Sequence, residues 1–598
     1  MPRRGLTALV LWLTGTLLFA STPRYSEDYG SLFIQARQTP SALSGHGYTS
    51  LEFDLVNKLD SRPLEVKISL FAGYHLYSNN DAELAYGRTF SLSAGESRRV
   101  RVPFWRWCGQ PDRAQIWLDG KAMENLLLVP MGHEAVPNAP NFGVVTVLFS
   151  KSIEAPEDIA HLAENPQVQH DGSSVKTSAG TAGYLEADQS DIERWSDFWL
   201  DYTQFDMVAL TGSDWSSLTG GQREALRTYV HAGGILLLDR STNLPHELKP
   251  RDHQTRLGMP LSFVGFGLVY ACAGSLTDLS AEQWYLFLDD SIANGKRWEQ
   301  TLGNALQNNE LFSVIEGLGI PVRSFIVLLI VFVLLIGPLN LLFVIKKGRR
   351  IWIFWTIPLL SIFATGSLVA AALVSDGLSI KLRSVGFTLL DQTRHRAISV
   401  GTTGVYSPLT SSQGLQFGAG TEIFPMFQQQ SGNRGVSLDG GQILTNGWLR
   451  ARLPFHYQER KVELRRERLV MESKDGRTIE VTNGLGVHIE ELWVANGAGR
   501  IFRAIEIEPG GRVRAQPDPS LQATAVPPSL CREAYFLPWN KDVKEFEARF
   551  RPSANQIFLN PHDYLAVVRG TPFLDTTLSE DIERSSKTLV YGIREGAP

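Results

Sequence analysis

Residues Phe325 to Ile345 read FIVLLIVFVLLIGPLNLLFVI without a single charge. At about 1.5 Å rise per residue such a run spans a hydrocarbon layer of about 30 Å. A second apolar run extends from Ile351 to Val374, so the pattern predicts two transmembrane helices, 325–345 and 351–374. Elsewhere the periodicity is shorter. Between residues 29 and 137 the stretches GYTSLEFDLVN, LEVKISLFAG, RTFSLSAGESRRVRVPFW and AQIWLDG alternate apolar and polar positions around turn residues such as AGES. Period two of this kind predicts an immunoglobulin-like β-sandwich domain. In FWRWC, Trp105 and Trp107 take one strand face, opposite Phe104 and Arg106, and aromatics gathered on one face are expected in a core.

From 138 to 320 strands alternate with helices. VVTVLF, FDMVAL, ILLLD and FVGFGLVYAC read as buried strands, and TGGQREALRTYVHAGG as an amphipathic helix capped at Thr219 and closed by Gly233 and Gly234. The prediction is a layered α/β domain. The stripe Trp195, Phe198, Trp199, Tyr202 has helical spacing and is expected to be core. Residues 376–598 return to strands, in one or two further β-sandwich units, with proline-rich Gln516–Pro528 as a connector. ERKVELRRERL, Glu459 to Leu469, reads as a charged strand or short helix face.

Charge orients this arrangement. The chain begins MPRRGLTALVLWLTGTLLFAS, two arginines before an apolar run ending in small residues; residues 1–21 have the layout of a signal peptide. Lys346, Lys347, Arg349 and Arg350 fill the link between the two apolar runs, whereas the outer flanks carry only Arg323, Lys381 and Arg383 among Glu316 and Asp376. The positive-inside bias puts loop 346–350 in the cytoplasm and both large regions outside. Pro338 and Pro358 are expected to bend the helices, and Asn340 and Thr356 lie at equal depth, where a cross-helix hydrogen bond is expected. A net charge of -5 over 598 residues offers no broad basic field, which argues against nucleic acid as a partner. Cys108, Cys272 and Cys531 are too few and too scattered for a disulfide framework or a CxxC site.

The run YTQFDMVALTGSDWSSLTGGQREALRTYVHAGGILLLD, Tyr202 to Asp239, resembles the class I glutamine-amidotransferase-like domain, which occurs in uncharacterised bacterial membrane proteins; GPLN in the first apolar run is similar to that group as well. The resemblance implies a flavodoxin-like α/β fold for this domain. Active members of that family carry a cysteine nucleophile on a sharp, glycine-flanked turn after a strand. Here ILLL is followed by Asp239, Arg240, Ser241 and Thr242, so the nucleophile is absent. Cys272 ends an apolar strand without such a turn. His246 and His253 share a polar loop, but no HExxH occurs among the twelve histidines, and GxGxxG, GxxxxGK and GxSxG are also absent. Asp214 and Ser216 begin a DxSxS metal-adhesion pattern that Leu218 breaks. The expectation is therefore no catalytic, cofactor or metal site. The chain reads as a non-catalytic protein of the bacterial inner membrane whose exported domains bind protein or glycan partners in the cell envelope. An accessory subunit of a transport or polymer-export system is the alternative, followed by an envelope hydrolase.

Overall fold

The computed structural model describes residues 25–39, 46–73, 83–106, 111–129, 144–153, 184–241, 244–290 with short breaks, 305–315, 322–376 without 349, 379–410, 414–426, 433–472, 478–535, 542–578 with a short break, and 582–594. Residues 1–21, expected to be a signal peptide, and Trp107 and Cys108 lie outside them. The chain is multidomain and mostly β-sheet, with helices in the α/β layers and in the apolar segment.

In the amino-terminal sandwich, Ser26–Asp28, Leu32–Gln38, Tyr48–Asn57 and Ser97–Trp105 form one sheet. Leu64–Gly73, Glu83–Leu92 and Arg113–Leu118 belong to the other. The period-two pattern appears directly as burial: Leu51, Phe53 and Leu55 are buried, while their neighbours Glu52 and Asp54 are partly exposed. This second sheet recruits strands from beyond the apolar segment. Arg434–Ser437 runs parallel to Glu83–Leu92, with Arg434 opposite Leu84, and Gln442–Leu444 and Leu415–Phe417 follow it. The joint is packed as well as hydrogen-bonded. Trp448 meets Trp105 edge-on at 5.6 Å, and the Tyr48 hydroxyl donates to Gln442 Oε1 at 2.9 Å and accepts the Ile423 N–H at 3.1 Å. Phe104, Trp105 and Arg106 are all buried, because this later segment covers a face that the sandwich alone would leave open.

In the α/β domain five parallel strands, Val144–Ser150, Tyr184–Ser190, Met207–Thr211, Ile235–Asp239 and Gly267–Ala271, stand in spatial order 2-1-3-4-5 counted along the chain. Met259–Val264 and Asp252–Arg256 extend the edge antiparallel. The three strands at 207–211, 235–239 and 267–271 are buried at every position, as expected for a sheet covered on both faces. The Gly220–His231 helix covers one face. It starts with a reciprocal capping box between Thr219 and Gln222, and it stops at Gly233, whose φ is +108°. Gly267 allows the next strand to pass this end, because a Cβ there would lie 1.9 Å from the Val230 carbonyl oxygen. The Trp195–Tyr202 stripe is core, but it is not an α-helix. Two short 3-10 turns, Ile192–Arg194 and Trp199–Tyr202, supply the same spacing.

The apolar segment runs as Val322–Leu334, a π-helical turn Leu335–Leu339, and Asn340–Lys346. Pro338 sits in the π turn, which absorbs its missing N–H. Leu329–Lys346 is long and apolar enough to cross a membrane, with mean hydropathy 2.5. The returning Ile353–Asp376 helix contains Pro358 and a shorter apolar stretch, Ile353–Gly366. The expected Asn340–Thr356 bond is not made: the Asn340 side-chain nitrogen and the Thr356 hydroxyl are both buried without a hydrogen-bond partner.

Beyond residue 379 a 12-stranded sheet forms, in which Ile380–Asp391, Arg396–Tyr406, Pro454–Leu464 and Ile582–Ile593 lie near one end. Gln516–Pro528 is no connector. Its first part belongs to the strand Arg512–Thr524, and Pro517 and Pro519 fall where the pairing with Arg500–Ile507 slips register. A proline is tolerated at such an irregularity because no ladder hydrogen bond is required of it. Three arginines then join this region to the α/β domain. Arg460 Nη1 donates to the Ala232 carbonyl at 2.8 Å, Arg532 Nη1 to the carbonyls of Gly233 at 3.0 Å and Phe266 at 2.6 Å, and Arg396 Nη2 to Glu224 at 3.2 Å. The residues before and after the apolar segment therefore form one body. Replacing Trp448 with Ala should lower the unfolding free energy of the detergent-solubilised chain by about 3–5 kcal/mol, measured by denaturant titration.

Candidate functional site

Parallel α/β sheets present their functional groups beyond the carboxyl ends of the strands, where the strand order reverses. In this domain that edge holds Ser150, Ser152, Thr211, Asp214, Asp239, Arg240, Ser241 and Cys272. Thr211 ends a strand and caps the short Gly212–Ser217 helix through a second reciprocal box with Asp214. The buried Asp214 carboxylate also accepts hydrogen bonds from Ser150 Oγ at 2.6 Å and Ser152 Oγ at 2.7 Å. Burial alone would raise its pKa, but the bonds from Ser150, Ser152 and Thr211 outweigh it and hold the carboxyl below the usual range. Asp214 is thus an anion that ties two strand ends together. Ser216, the other residue of the DxSxS pattern, is exposed and bonds back to the Gly212 carbonyl, so the two do not converge.

The turn after Ile235–Asp239 is the position where an amidotransferase would hold its nucleophile. Arg240 occupies it with φ +49°, a left-handed turn after which the next described element is not a helix but the antiparallel strand Asp252–Arg256. Its N–H donates to the Gly274 carbonyl at 3.2 Å and that of Ser241 to the Cys272 carbonyl at 2.8 Å. Asp239, 1% exposed, accepts the Leu276 N–H at 2.6 Å. Burial raises its pKa against that bond and nearby Arg240. Burial and then Asp239 push the Cys272 thiol up to about 12, so it stays protonated near neutral pH and is a poor nucleophile. A sharp turn is therefore present, but Arg240 stands on it and no described helix follows. His253 Nδ1 lies 3.0 Å from Ser262 Oγ on the antiparallel edge, apart from His246. Among the described residues no group of three His, Cys, Asp or Glu side chains could hold a metal ion.

A cleft of about 780 Å³ lies in the region after the apolar segment. Strands 380–391, 489–495, 500–507 and 582–593 and the helix Val543–Phe550 contribute to its walls. A register shift between Ile489 and Glu491 marks a β-bulge at Glu490. Glu490 pairs with Lys587 at 2.7 Å and Arg569 at 3.0 Å; burial would raise its pKa, but these two cations lower it. An adjoining hollow of about 470 Å³ shares Leu382, Glu490, Ser585 and Lys587. These walls set closely spaced charges of both signs among apolar side chains such as Val314, Leu382 and Ile505, the mixed lining of protein–protein surfaces. The sequence does not signal this cleft, because its charges are spread singly over strands far apart in the chain.

Comparison with known proteins adds no name: no protein-family model matches the chain, and no curated protein matches it.

Asp214→Asn should destabilise the protein by about 1–3 kcal/mol at pH 7, since the hydroxyls of Ser150 and Ser152 would lose an ionised acceptor. A carboxyl with a lowered folded pKa stabilises above its unfolded pKa and loses that contribution as pH falls through the folded value. The deficit of the variant should therefore shrink below about pH 4, as read from denaturant midpoints across pH.

Proposed function

We propose that this chain is a non-catalytic, membrane-anchored scaffold of the bacterial cell envelope, with its large body outside the cytoplasmic membrane and the 346–350 loop in the cytoplasm. The observation that carries the reading is the single body formed by residues on both sides of the apolar segment, through a shared sheet and buried arginines. A segment whose two ends meet the same body must leave and return on one side. An apolar segment that does so crosses a membrane twice, as a hairpin. Its side chains support this: Phe354 is 76% exposed, Trp355 81% and Phe363 74%, a surface that lipid would cover and water would not.

The α/β domain is read as flavodoxin-like, since the 2-1-3-4-5 order is that of doubly wound sheets. The amidotransferase-like resemblance is read as one of scaffold rather than chemistry, supported by Arg240 on the turn after Ile235–Asp239 and the raised pKa of the buried Cys272 thiol. The mixed-charge cleft is the surface offered to a protein or glycan partner.

A photo-crosslinking residue at Lys544, exposed on the cleft wall, should capture an envelope partner in intact cells, while the purified full chain hydrolyses no glutamine. Steady hydrolysis of glutamine, lost in Ser241→Ala or Cys272→Ala, would show an enzyme instead. A co-captured ATPase or permease would assign the scaffold to a transport or export assembly.

A further inference from the structure

Both legs of the apolar hairpin meet the body at one end of the 12-stranded sheet. The chain that leads toward the outgoing leg is held there, where Val314 packs on Gly404 and His456 Nε2 bonds to the Phe312 carbonyl at 2.8 Å; the helix itself begins eight residues later, at Val322. The returning helix ends at Asp376, and Ile380 begins the next strand; four residue steps reach about 14 Å at most. Register fixes what else lies at this end. Lys381 stands opposite Tyr406, and Tyr406 opposite Pro454, so the loops that follow Tyr406 and precede Pro454 both turn beside the hairpin. They are joined to each other, since the Arg452 N–H donates to the Ser407 carbonyl at 2.8 Å. Arg452 holds φ +61° at this tip, and next to it Leu453 is 42% exposed, while Leu409 on the neighbouring loop is 57% exposed.

On this geometry, and resting on the membrane reading above, we propose that the two loops form a rim that enters the headgroup layer of the bilayer: Leu409 and Leu453 reach into the acyl boundary, and Arg450 and Arg452 contact anionic phospholipid headgroups. The position of the rim follows from the hairpin, because the end of a membrane helix lies at the bilayer surface. Exposed leucines on loops that also carry arginines, as in Arg450-Ala451-Arg452-Leu453, are a composition that the interface accommodates. Lys381 adds a third cation at this end, and Glu583, opposite it in register, is the acid that faces it. The rim would fix the tilt of the body against the membrane, so that the mixed-charge cleft is presented in one orientation.

Nitroxide labels placed by Leu409→Cys, Leu453→Cys, Leu464→Cys and Phe363→Cys in the full chain test this. Cys272 and Cys531 are buried, and Cys108→Ser removes the remaining thiol. Leu464 is 73% exposed and closes the same strand that follows Leu453, about 33 Å away. In vesicles of two parts phosphatidylcholine to one part phosphatidylglycerol, labels at 409 and 453 should collide with oxygen and be shielded from a water-soluble nickel chelate, whereas the label at 464 should show the reverse. Arg450→Gln with Arg452→Gln should weaken the rim's partitioning by about five-fold per arginine at low salt, raising nickel access at 409. Labels at 409 and 453 as open to nickel as 464, with 363 shielded, would overturn the rim and leave the hairpin standing. A nickel-accessible label at 363 would remove the membrane reading itself.

Discussion

Three buried arginines at the carboxyl end of one helix hold this protein together. The Gly220–His231 helix ends in carbonyls that its own backbone does not satisfy, and its dipole places partial negative charge there. Arg460 and Arg532 bring guanidinium donors to Ala232, Gly233 and Phe266, and Arg396 reaches Glu224 from the same side. All three are nearly fully buried. Burial pushes Arg532 down to about 10, which leaves it charged at neutral pH. A buried cation without partners would cost several kcal/mol; here each is compensated by oxygen acceptors, and the helix end gains donors that no capping side chain of its own supplies.

The clamp has a topological consequence. Its donors lie after the apolar segment and its acceptors before it. The chain must therefore leave the body, turn and come back, with Lys346 and Lys347 at the turn and Phe354, Trp355 and Phe363 exposed on the helix that comes back. The same constraint joins the amino-terminal sheet to Arg434–Ser437 and packs Trp105 against Trp448. A partner bound in the cleft would thereby meet a body whose parts are coupled to one another.

Where burial repeats with a local period, the sequence was legible. Leu51, Phe53 and Leu55 announce a half-buried strand, and Thr219, Gln222 and the glycines at 233 and 234 bracket a helix, because capping chemistry is local. Spacing alone was insufficient for Trp195 to Tyr202, since successive 3-10 turns place aromatics on one face as an α-helix does. Prolines at 517 and 519 read as a break because a register slip between distant strands is not encoded nearby. The clamp was invisible for the same reason: Arg396, Arg460 and Arg532 are far apart, and Arg460 lies in a charged strand that reads as solvated. At the candidate site the turn at Asp239, Arg240 and Ser241, which Arg240 forms with φ +49°, was legible. The burial that silences the Cys272 thiol was not, because it depends on the strand register and on aromatic packing from outside the motif.

These arginines couple the segments on the two sides of the apolar stretch. A protease site introduced into the 346–350 loop of the full chain allows the covalent link to be cut in detergent while the remaining contacts persist. The two fragments should co-elute after cleavage, and the urea concentration at which they separate should fall in Arg460→Met with Arg532→Met, by an amount corresponding to about 2–6 kcal/mol for the carbonyl acceptors left unpaired. Fragments that separate on cleavage alone, or a midpoint unchanged by the two substitutions, would contradict it.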